Sequence, residues 1–506
     1  MNTSNQRLWA RLVVLGLAGG ALMFAGGANA QQAISTTSAA PSATDERIAV
    51  LEREIAALSA QIADLKASTA SNLDDIRATQ AANTTTITNG RTTTASGDGA
   101  QKFAVRGVVE FDAAHYDERG NPAFVNDLNS GTNFRRARLG VEGTFAKDWN
   151  YYLTGEFGGS GAESAQLNQA YIEYTGLKPF GLASPLRVRI GAWPTPTGLE
   201  DGINYAEALF LERPAIAELV RNTAGGDGRS SVGVLANGDH WYADAVLTGD
   251  TVTTTGEFDE QTGALLRAAF NPIYSPDYNV HVGVNFQTVF DPADKGQGPA
   301  TTKTIQLQER PELRVDGTRL VNTGAINADG VSAYGAELGA QWKNVLLYGE
   351  YFKIDVNRST VGLFDPSFSG WYVAGSWALT GENHPWVPAT GGFRGIRPAN
   401  TFDPSKHHWG AWELAARYST LDLNDHEGVS GAAVPAGGIR GGQQDITTLG
   451  LNWYPNNVVR FLLDYQWIDV EKFGGSPSAA PGSTAPANKL FNEDVDVVSL
   501  RSQFSF

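Results

Sequence analysis

Arginine residues at alternate positions are the feature of this sequence with the most direct chemical meaning. Arg106, Arg136, Arg138, Arg187 and Arg189 each alternate with apolar neighbours in short segments. Residues two apart lie on the same face of an extended strand. Because a guanidinium group facing lipid costs about 2–4 kcal/mol near the middle of a bilayer, we expect this face to line a water-filled lumen. Guanidinium groups are permanently charged, paired donors to oxyanions, so the pattern predicts an anion pathway.

Further arginines lie in the long segments between the alternating stretches. The loop 194–230 occupies the usual position of a constriction loop, and the loop 290–330 is predicted to fold inward. Rings of basic side chains are a general means of selecting anions. The additional candidates are Arg213, Arg221 and Arg229 in the first loop and Arg310, Arg314 and Arg319 in the second.

Ion pairing within the barrel wall is the alternative role for these arginines. Glu142, Glu156 and Glu173 lie on the same predicted inward faces, and a mesh of ion pairs would stiffen the wall. We expect Arg136 and Arg310 to control selectivity most. Arg501 is predicted to lie near the periplasmic rim and to matter less.

The elements that must position these arginines are short segments of alternating polarity. They are 103–113, 133–145, 149–158, 167–176, 186–193, 231–237, 240–248, 264–271, 278–289, 331–342, 345–356, 369–380, 407–421, 443–454, 458–471 and 494–506. Short turns and longer polar loops separate them, as in outer-membrane barrels. Another stretch, 304–316, contains Pro311, which removes a ladder donor, so we assign it to the inward loop. The predicted fold class is all-β, a 16-stranded antiparallel transmembrane β-barrel over residues 101–506 with an N-terminal coiled-coil helix.

The last strand and the composition agree with a membrane barrel. Val498, Leu500, Phe504 and Phe506 share one face of the strand opposite polar residues, which is typical of a lipid-facing surface with interfacial aromatics. The sequence has no cysteine, which excludes disulfides and thiol catalysis. The formal net charge of -16 argues against nucleic acid as a partner. We predict no cofactor and no metal site.

The N-terminal region is predicted to carry an export signal. Arg7 and Arg11 precede an apolar stretch, and Ala28-Asn29-Ala30 fits a cleavage site. Residues 1–30 are therefore predicted to be a signal peptide.

Residues 31–78 are predicted to contain a coiled coil. Spacings of three and four, the heptad pattern, separate Ile48, Leu51, Ile55, Leu58, Ile62 and Leu65. Isoleucine at a and leucine at d favour a dimer, although a trimeric barrel can impose three strands. The polar residues 79–100 are predicted to be a flexible tether.

Several longer motifs mark the region 101–506. They are Tyr348-Gly349-Glu350-Tyr351, Gly370-Trp371-Tyr372-Val373 with Ser376 to Glu382, Trp409 to Leu423, Thr448 to Pro455, and Arg310-Pro311-Glu312 followed by Leu320 to Gly324. Through these motifs the region resembles the phosphate-selective porin O and P family of Gram-negative outer membranes. The resemblance implies a homotrimer of 16-stranded barrels, embedded in outer-membrane lipid, through which phosphate, polyphosphate or related small anions diffuse passively.

The resemblance also implies roles for individual residues. Arg135 and Arg136 look like the family's paired wall arginines, and Arg310 and Arg314 like its infolded-loop arginines. The basic exit cluster that family members carry in the long periplasmic turn, here 381–406, is represented by Arg394, Arg397 and Lys406. The constriction loop departs from the family pattern, because residues 198–213 contain no lysine and include Glu200, Asp201, Glu207 and Glu212. A broad-specificity small-solute porin therefore stays open as an alternative.

A barrel hydrolase and a structural barrel are the two alternative classes of protein. A barrel hydrolase would need a serine–histidine pair or paired carboxylates in a cleft, whereas the histidines are scattered and His407 and His408 alternate faces. We therefore predict that the chain is not an enzyme. A structural barrel that contacts the cell wall through the coiled coil is the third class, and it is compatible with a pore.

Overall fold

The computed structural model describes residues 43–88, 90–159, 166–252, 259–294 and 302–506. The chain divides into two compact units, Met1–Ala78 and Thr79–Phe506. The predicted signal peptide, 1–30, lies outside the described residues.

One long helix, α1, spans Ala43–Ala82. Its six predicted heptad residues are all solvent-exposed, from 49% for Ile48 to 72% for Leu65. No described residue covers this apolar stripe, and the coiled coil stays a prediction. None of the helices in the described parts of the chain combines the length and the apolar content needed to cross a membrane.

The second unit consists mainly of strands. The short strands are β1 Thr84–Thr88, β2 Arg91–Ala95, β12 Thr304–Ile305, β13 Gln308–Glu309, β14 Val321–Asn322, β18 Trp386–Val387 and β19 Gly392–Phe393. The long strands are β3 Lys102–Arg119, β4 Gly131–Phe145, β5 Trp149–Glu156, β6 Gln166–Leu177, β7 Leu186–Ala192, β8 Arg229–Asn237, β9 Trp241–Thr251, β10 Thr262–Tyr274, β11 Tyr278–Asp291, β15 Ile326–Trp342, β16 Val345–Arg358, β17 Ser367–Ala378, β20 Ala411–Asp425, β21 Ile439–Tyr454, β22 Val459–Phe473 and β23 Leu490–Ser505.

The long strands form the predicted closed 16-stranded antiparallel barrel. Neighbours in sequence pair with one another, and β23 returns to β3 in a register that runs from Asp494↔Arg119 to Ser505↔Val108. The stretch 304–316 is not a barrel strand, as predicted, because β12 and β13 are two residues long and pair only locally. Short turns of such barrels face the periplasm, which places the loops after β7 and β11 on the extracellular side.

Side chains alternate between the outer and inner faces, but the inner face is not uniformly polar. Arg136 and Arg138 point inward from β4, whereas Phe352, Leu421 and Val470 are buried on the inner faces of β16, β20 and β22. Alternation alone predicts water on that side. The apolar inner residues are covered because two loops and a helix fold into the lumen and pack on them.

The constriction loop, 193–228, carries the helices α2 Leu199–Gly202 and α3 Ala215–Ala224. Helix α3 contacts β10, β11, β16, β17 and β20. Ile216 on α3 is fully buried and lies beside Gly370 of β17, where a Cβ atom would be 2.9 Å from the Ile216 Cβ. Glycine at this position therefore leaves the room that the helix occupies.

The long periplasmic turn between β17 and β20 also folds inward, which the sequence analysis did not predict. Trp386 and Phe393 in this turn are only 2% exposed. Arg267 on β10 donates hydrogen bonds to the carbonyl oxygens of Thr390 and Gly391, at 2.7 Å each. The turn is thus held from inside the barrel.

Strands β1 and β2, within the segment predicted to be a flexible tether, pair with each other as a β-hairpin. Strand β2 pairs with the start of β3, from Thr93↔Ala104 to Ala95↔Lys102. The threonine-rich composition that suggested a linker also favours strands, because β-branched side chains fit a pleated surface. The start of β3 is left unpaired by β23, whose pairing with β3 ends at Val108, and β2 pairs with this free edge.

The contact between Phe506 and Gly107 extends barrel closure by one pair beyond the register of β23 and β3. Their backbones exchange two hydrogen bonds of 3.0 Å, and a Cβ on Gly107 would lie 2.7 Å from the Phe506 ring.

We expect Phe506→Ala to lower the yield of folded, heat-modifiable barrel in the membrane several-fold, whereas Phe180→Ala, which removes a fully exposed ring, should not. Equal yields of the two variants, measured by gel mobility with and without boiling, would contradict this role.

Candidate anion pathway

A β-bulge brings two consecutive arginines into the lumen. The register of β3 and β4 shifts between Glu110↔Arg136 and Phe111↔Phe134, which leaves Arg135 without a partner residue. A bulge places an extra residue in one strand and re-aims side chains. Strict alternation would turn Arg135 towards lipid, but here both Arg135 and Arg136 face inward, which is how they reach the constriction loop.

Glu212 of the constriction loop is the meeting point of these arginines. Its carboxylate accepts hydrogen bonds from Arg135 at 2.5 and 3.0 Å and from Arg501 at 3.0 Å. Arg136 lies 4.0 Å away and Arg314, from the other infolded loop, 3.5 Å away. One carboxylate therefore ties two barrel strands to two loops.

The ion pairs continue from Glu212 into a connected network. Arg314 also reaches Glu218 on α3, at 2.5 Å, and Asp227 accepts from Arg138 at 2.8 Å. Within the described residues the network has as many carboxylates as guanidinium groups. The guanidinium groups are those of Arg135, Arg136, Arg138, Arg213, Arg221, Arg314 and Arg501, and the carboxylates are Glu110, Asp112, Glu156, Asp201, Glu212, Glu218 and Asp227.

The loop carboxylates are ionised far below neutral pH. Burial alone would raise the pKa of Glu218, but the charges of Arg314, Arg221 and Arg213 lower it to about 2. The same opposition of burial and arginine charge holds the pKa of Glu212 well below its usual range. At neutral pH the carboxylates of Glu212 and Glu218 are therefore ionised.

Most other candidates from the sequence are also paired. Arg106 contacts Glu142 at 2.8 Å, Arg189 contacts Glu173 at 2.7 Å, Arg229 lies 3.8 Å from Asp250, Arg319 lies 3.8 Å from Glu309, Arg397 contacts Glu207, and Lys406 contacts Asp403 at 2.9 Å. Arg394 is exposed, and Arg187 donates to the Ala389 carbonyl oxygen at 2.9 Å. The role of Arg394, Arg397 and Lys406 as an exit cluster stays a prediction.

Arg310 differs from the paired arginines. Among the described residues no carboxylate lies within ion-pairing distance of its guanidinium group, and its Nε atom is buried without a hydrogen-bond partner. Arg310, with Arg314, lines both an extracellular cavity of about 470 Å³ and a constricted space of about 10 Å³ beside Glu212 and Glu218. It therefore stands where the extracellular vestibule narrows.

The structure adds residues that sequence reasoning missed or misplaced. Arg501 was expected near the periplasmic rim, yet it is 1% exposed and belongs to the constriction network. Arg417 pairs with Glu312 and is equally buried. Both occupy inward positions of their strands, so alternation could have identified them, but alternation gives no depth along the barrel axis.

A closed barrel narrowed by an infolded arginine-rich loop defines a porin of the outer membrane. The family model described as "Phosphate-selective porin O and P" matches residues 103–506. Porin O of Pseudomonas aeruginosa is 25% identical over 405 residues, covering 76% of this chain and 87% of that protein.

Solved structures with a similar fold include OmpT of Vibrio cholerae, at 12% identity, a TM-score of 0.44, and coverage of 80% of this chain and 100% of that one. The anion-selective porin from Comamonas acidovorans gives 13% identity, a TM-score of 0.43 and the same coverage. The chain belongs to the phosphate-selective porin O and P family, and its function is that of an anion-preferring outer-membrane porin.

The balanced network makes a prediction about acid. A carboxylate whose pKa is depressed in the folded protein stabilises the fold above its unfolded pKa and loses that contribution as pH falls through the folded value. Since the pKa of Glu218 falls from 4.5 to about 2, single-channel conductance should be steady from neutral pH down to about 5 and become noisy as pH falls towards 2. Arg314→Gln should move this transition to higher pH, because Arg314 is the strongest of the charges that lower the pKa of Glu218. A transition at the same pH in both proteins would contradict the assignment.

Proposed function

We propose that this porin passes small oxyanions, with phosphate, polyphosphate and related anions as its solutes, and that Arg310 is the residue they meet at the extracellular entrance. The observation that carries this proposal is the guanidinium group of Arg310, which forms no ion pair among the described residues and lines both the extracellular cavity and the constricted space. Arg314 and Arg319 line the same vestibule. Burial and the nearby charges of Arg319 and Arg314 lower the pKa of Arg310, and together they outweigh the opposite effect of Glu309 and Glu212.

The acidic stretch of the constriction loop does not oppose anions in this arrangement. Asp201 contacts Arg221 at 2.7 Å, Glu207 pairs with Arg397, and Glu212 is surrounded by four arginines. Their charges are compensated within a few ångströms, well inside the Debye length of about 8 Å at physiological salt. A broad small-solute porin is the alternative function, and the observation that speaks for it is the absence of lysine from residues 198–213.

We also propose that the chain has no catalytic role and assembles as a homotrimer in outer-membrane lipid. The two buried histidines support this view, because His281 contacts Glu337 at 2.9 Å and His384 contacts Glu413 at 2.6 Å, contacts that position the inward periplasmic turn. For α1 we propose an intermolecular coiled coil, since none of the residues that the structure describes covers its stripe of exposed apolar side chains. Contact between that coil and the cell wall is part of the same proposal.

Arg310→Gln tests the entrance. A unit charge at 8 Å in water contributes about 0.5 kcal/mol before screening, roughly twofold in local anion concentration. The reversal potential of the purified porin in a KCl gradient should therefore shift towards cations, and added phosphate should block the chloride current less. Arg358→Gln is the matched control, because Arg358 bonds the Gly437 carbonyl oxygen at 2.9 Å near the same side of the barrel and does not line the vestibule. A reversal potential that moves equally in both variants would refute the role of Arg310.

Leu51→Asp with Leu58→Asp tests the coiled coil. Each substitution puts a charge into the apolar seam, so a peptide of residues 31–100 should lose its helical signal and its self-association in circular dichroism and sedimentation. The barrel of the full-length variant should remain trimeric, because its walls form their own contacts. Glu52→Gln with Glu54→Gln, beside the seam, is the control; retained self-association of the aspartate variant would rule the coil out.

A further inference from the structure

We propose that Glu312 is a positioning residue for anion selectivity, because it fixes the segment 310–314 from which Arg310 and Arg314 reach the vestibule and the constriction. The inference rests on the proposed role of Arg310 at the entrance and names the residue that sets its position. Glu312 lies midway between the two arginines in sequence, and only 4% of its surface is exposed. It lines the constricted space beside Glu212 and Glu218.

The backbone of Glu312 lies in the left-handed region. Its φ angle is 57°, a conformation that residues other than glycine seldom adopt. Such a conformation persists only where the surrounding structure imposes it, and conformations of this kind are concentrated at functional sites. The contacts of the Glu312 side chain therefore hold a backbone shape that the residue would not favour by itself.

The carboxylate of Glu312 joins the infolded loop to two other parts of the barrel. One of its oxygens accepts a hydrogen bond from the backbone N–H of Ala215, at 2.8 Å, and another from the hydroxyl of Ser419. The second oxygen accepts from Arg417. Ala215 is the first residue of α3 in the constriction loop, and Ser419 and Arg417 are buried on the inner face of β20. A single side chain thus fastens loop to loop and loop to wall.

The donors around Glu312 form a carboxylate site that the chain fills with its own side chain. The N–H groups of the first turn of a helix have no partner within the helix, and they favour a negative charge. Arg417 adds a permanent positive charge and is itself held in place. Its guanidinium group lies 4.4 Å from the centre of the Phe210 ring and donates to the carbonyl oxygen of Glu212 at 2.9 Å. Glu312 therefore acts as a tethered anion in a preorganised site.

The backbone of the segment 310–314 is also bonded at both of its ends. Gln444 of β21 donates to the carbonyl oxygen of Arg310 at 3.2 Å, and Asn133 of β4 donates to the carbonyl oxygen of Arg314 at 2.7 Å. Strands β22, β23 and β3 lie between β21 and β4 in the wall, so the segment crosses part of the lumen. Glu312 supplies the support between the two ends.

The position of the Arg310 charge depends on this support. No described carboxylate forms an ion pair with its guanidinium group, so the backbone of the segment decides where the side chain stands. The field of a charge is screened over about 8 Å at physiological salt. A displacement of a few ångströms therefore changes the anion concentration at the entrance, although no charge is lost.

Glu312→Asp tests positioning at constant charge. Aspartate is one methylene group shorter, so its carboxylate cannot reach all the donors, and it tolerates the left-handed backbone better than glutamate. The anion-to-cation permeability ratio of the full-length porin, from the reversal potential in a KCl gradient, should fall about twofold, the contribution expected of Arg310. Glu471→Asp is the matched control, because Glu471 alternates with the buried Val470 and Lys472 and so lies on the outer face of β22. Gel mobility with and without boiling verifies that each barrel is folded.

Two further measurements separate positioning from a general structural role. In the Arg310→Gln background, Glu312→Asp should produce only a small fraction of its shift, because its effect passes through Arg310. Glu312→Gly removes the carboxylate and suits the left-handed backbone. It should lower the permeability ratio and regain the wild-type value when formate or acetate, at a concentration well below that of chloride, is present on both sides. Loss of a negative charge alone would raise the ratio instead.

The outcomes distinguish this inference from the proposed function. A wild-type ratio in Glu312→Asp, a full shift in the Arg310→Gln background, or a Glu312→Gly porin that formate and acetate do not restore would each overturn the positioning role. If Arg310→Gln still shifts the reversal potential in any of these cases, the proposed entrance stands without it. If Arg310→Gln leaves the reversal potential unchanged, the entrance and the positioning role fail together.

Discussion

Guanidinium groups inside a narrow lumen need carboxylate partners, and the rest of the structure follows from this constraint. Removing an ion from water costs several kcal/mol even after relaxation. Arg501 is 1% exposed and Arg136 is 4% exposed, and both have carboxylates within contact distance. Charge that is fully paired stiffens the constriction. We propose that selectivity then depends on places where pairing is incomplete, such as Arg310.

The wall carboxylates that do not pair with arginine position the constriction loop. Glu350 accepts hydrogen bonds from the backbone N–H groups of Leu199 and Glu200, at 2.7 and 3.0 Å, and Asp464 accepts from Leu211 at 2.9 Å. Unpaired backbone donors at a helix start are costly when buried. The inward acidic residues therefore satisfy the loop backbone, and the apolar face of α3 packs on the apolar inner wall. The loop is fixed by the barrel at both its polar and its apolar contacts.

Alternating polarity was sufficient to predict the barrel, its 16 strands and the inward direction of most arginines, because lipid and lumen impose opposite requirements on successive residues. It failed where the period of two is broken. The bulge at Arg135 turns a residue that alternation assigns to lipid into a ligand of Glu212. The hairpin was missed because threonine-rich sequence suits both linkers and strands, and pairing with β3 decides between them. The inward periplasmic turn had a weak signal in Trp386 and Phe393, which are large apolar residues in a turn.

The acidic constriction loop shows why the sign of the electrostatic field in a pore cannot be predicted from the order of charged residues in the sequence. Glu212 lies near Glu207 and Glu218 in sequence, which makes the segment acidic, yet its partners come from far away in the chain. Arg135 is 77 residues distant and Arg501 is 289 residues distant. A permeating ion responds to charges within about 8 Å, whatever their separation in sequence. The net charge of -16 is likewise a sum over the whole chain, most of which lies outside that radius. The field at the constriction is therefore a property of the folded contacts.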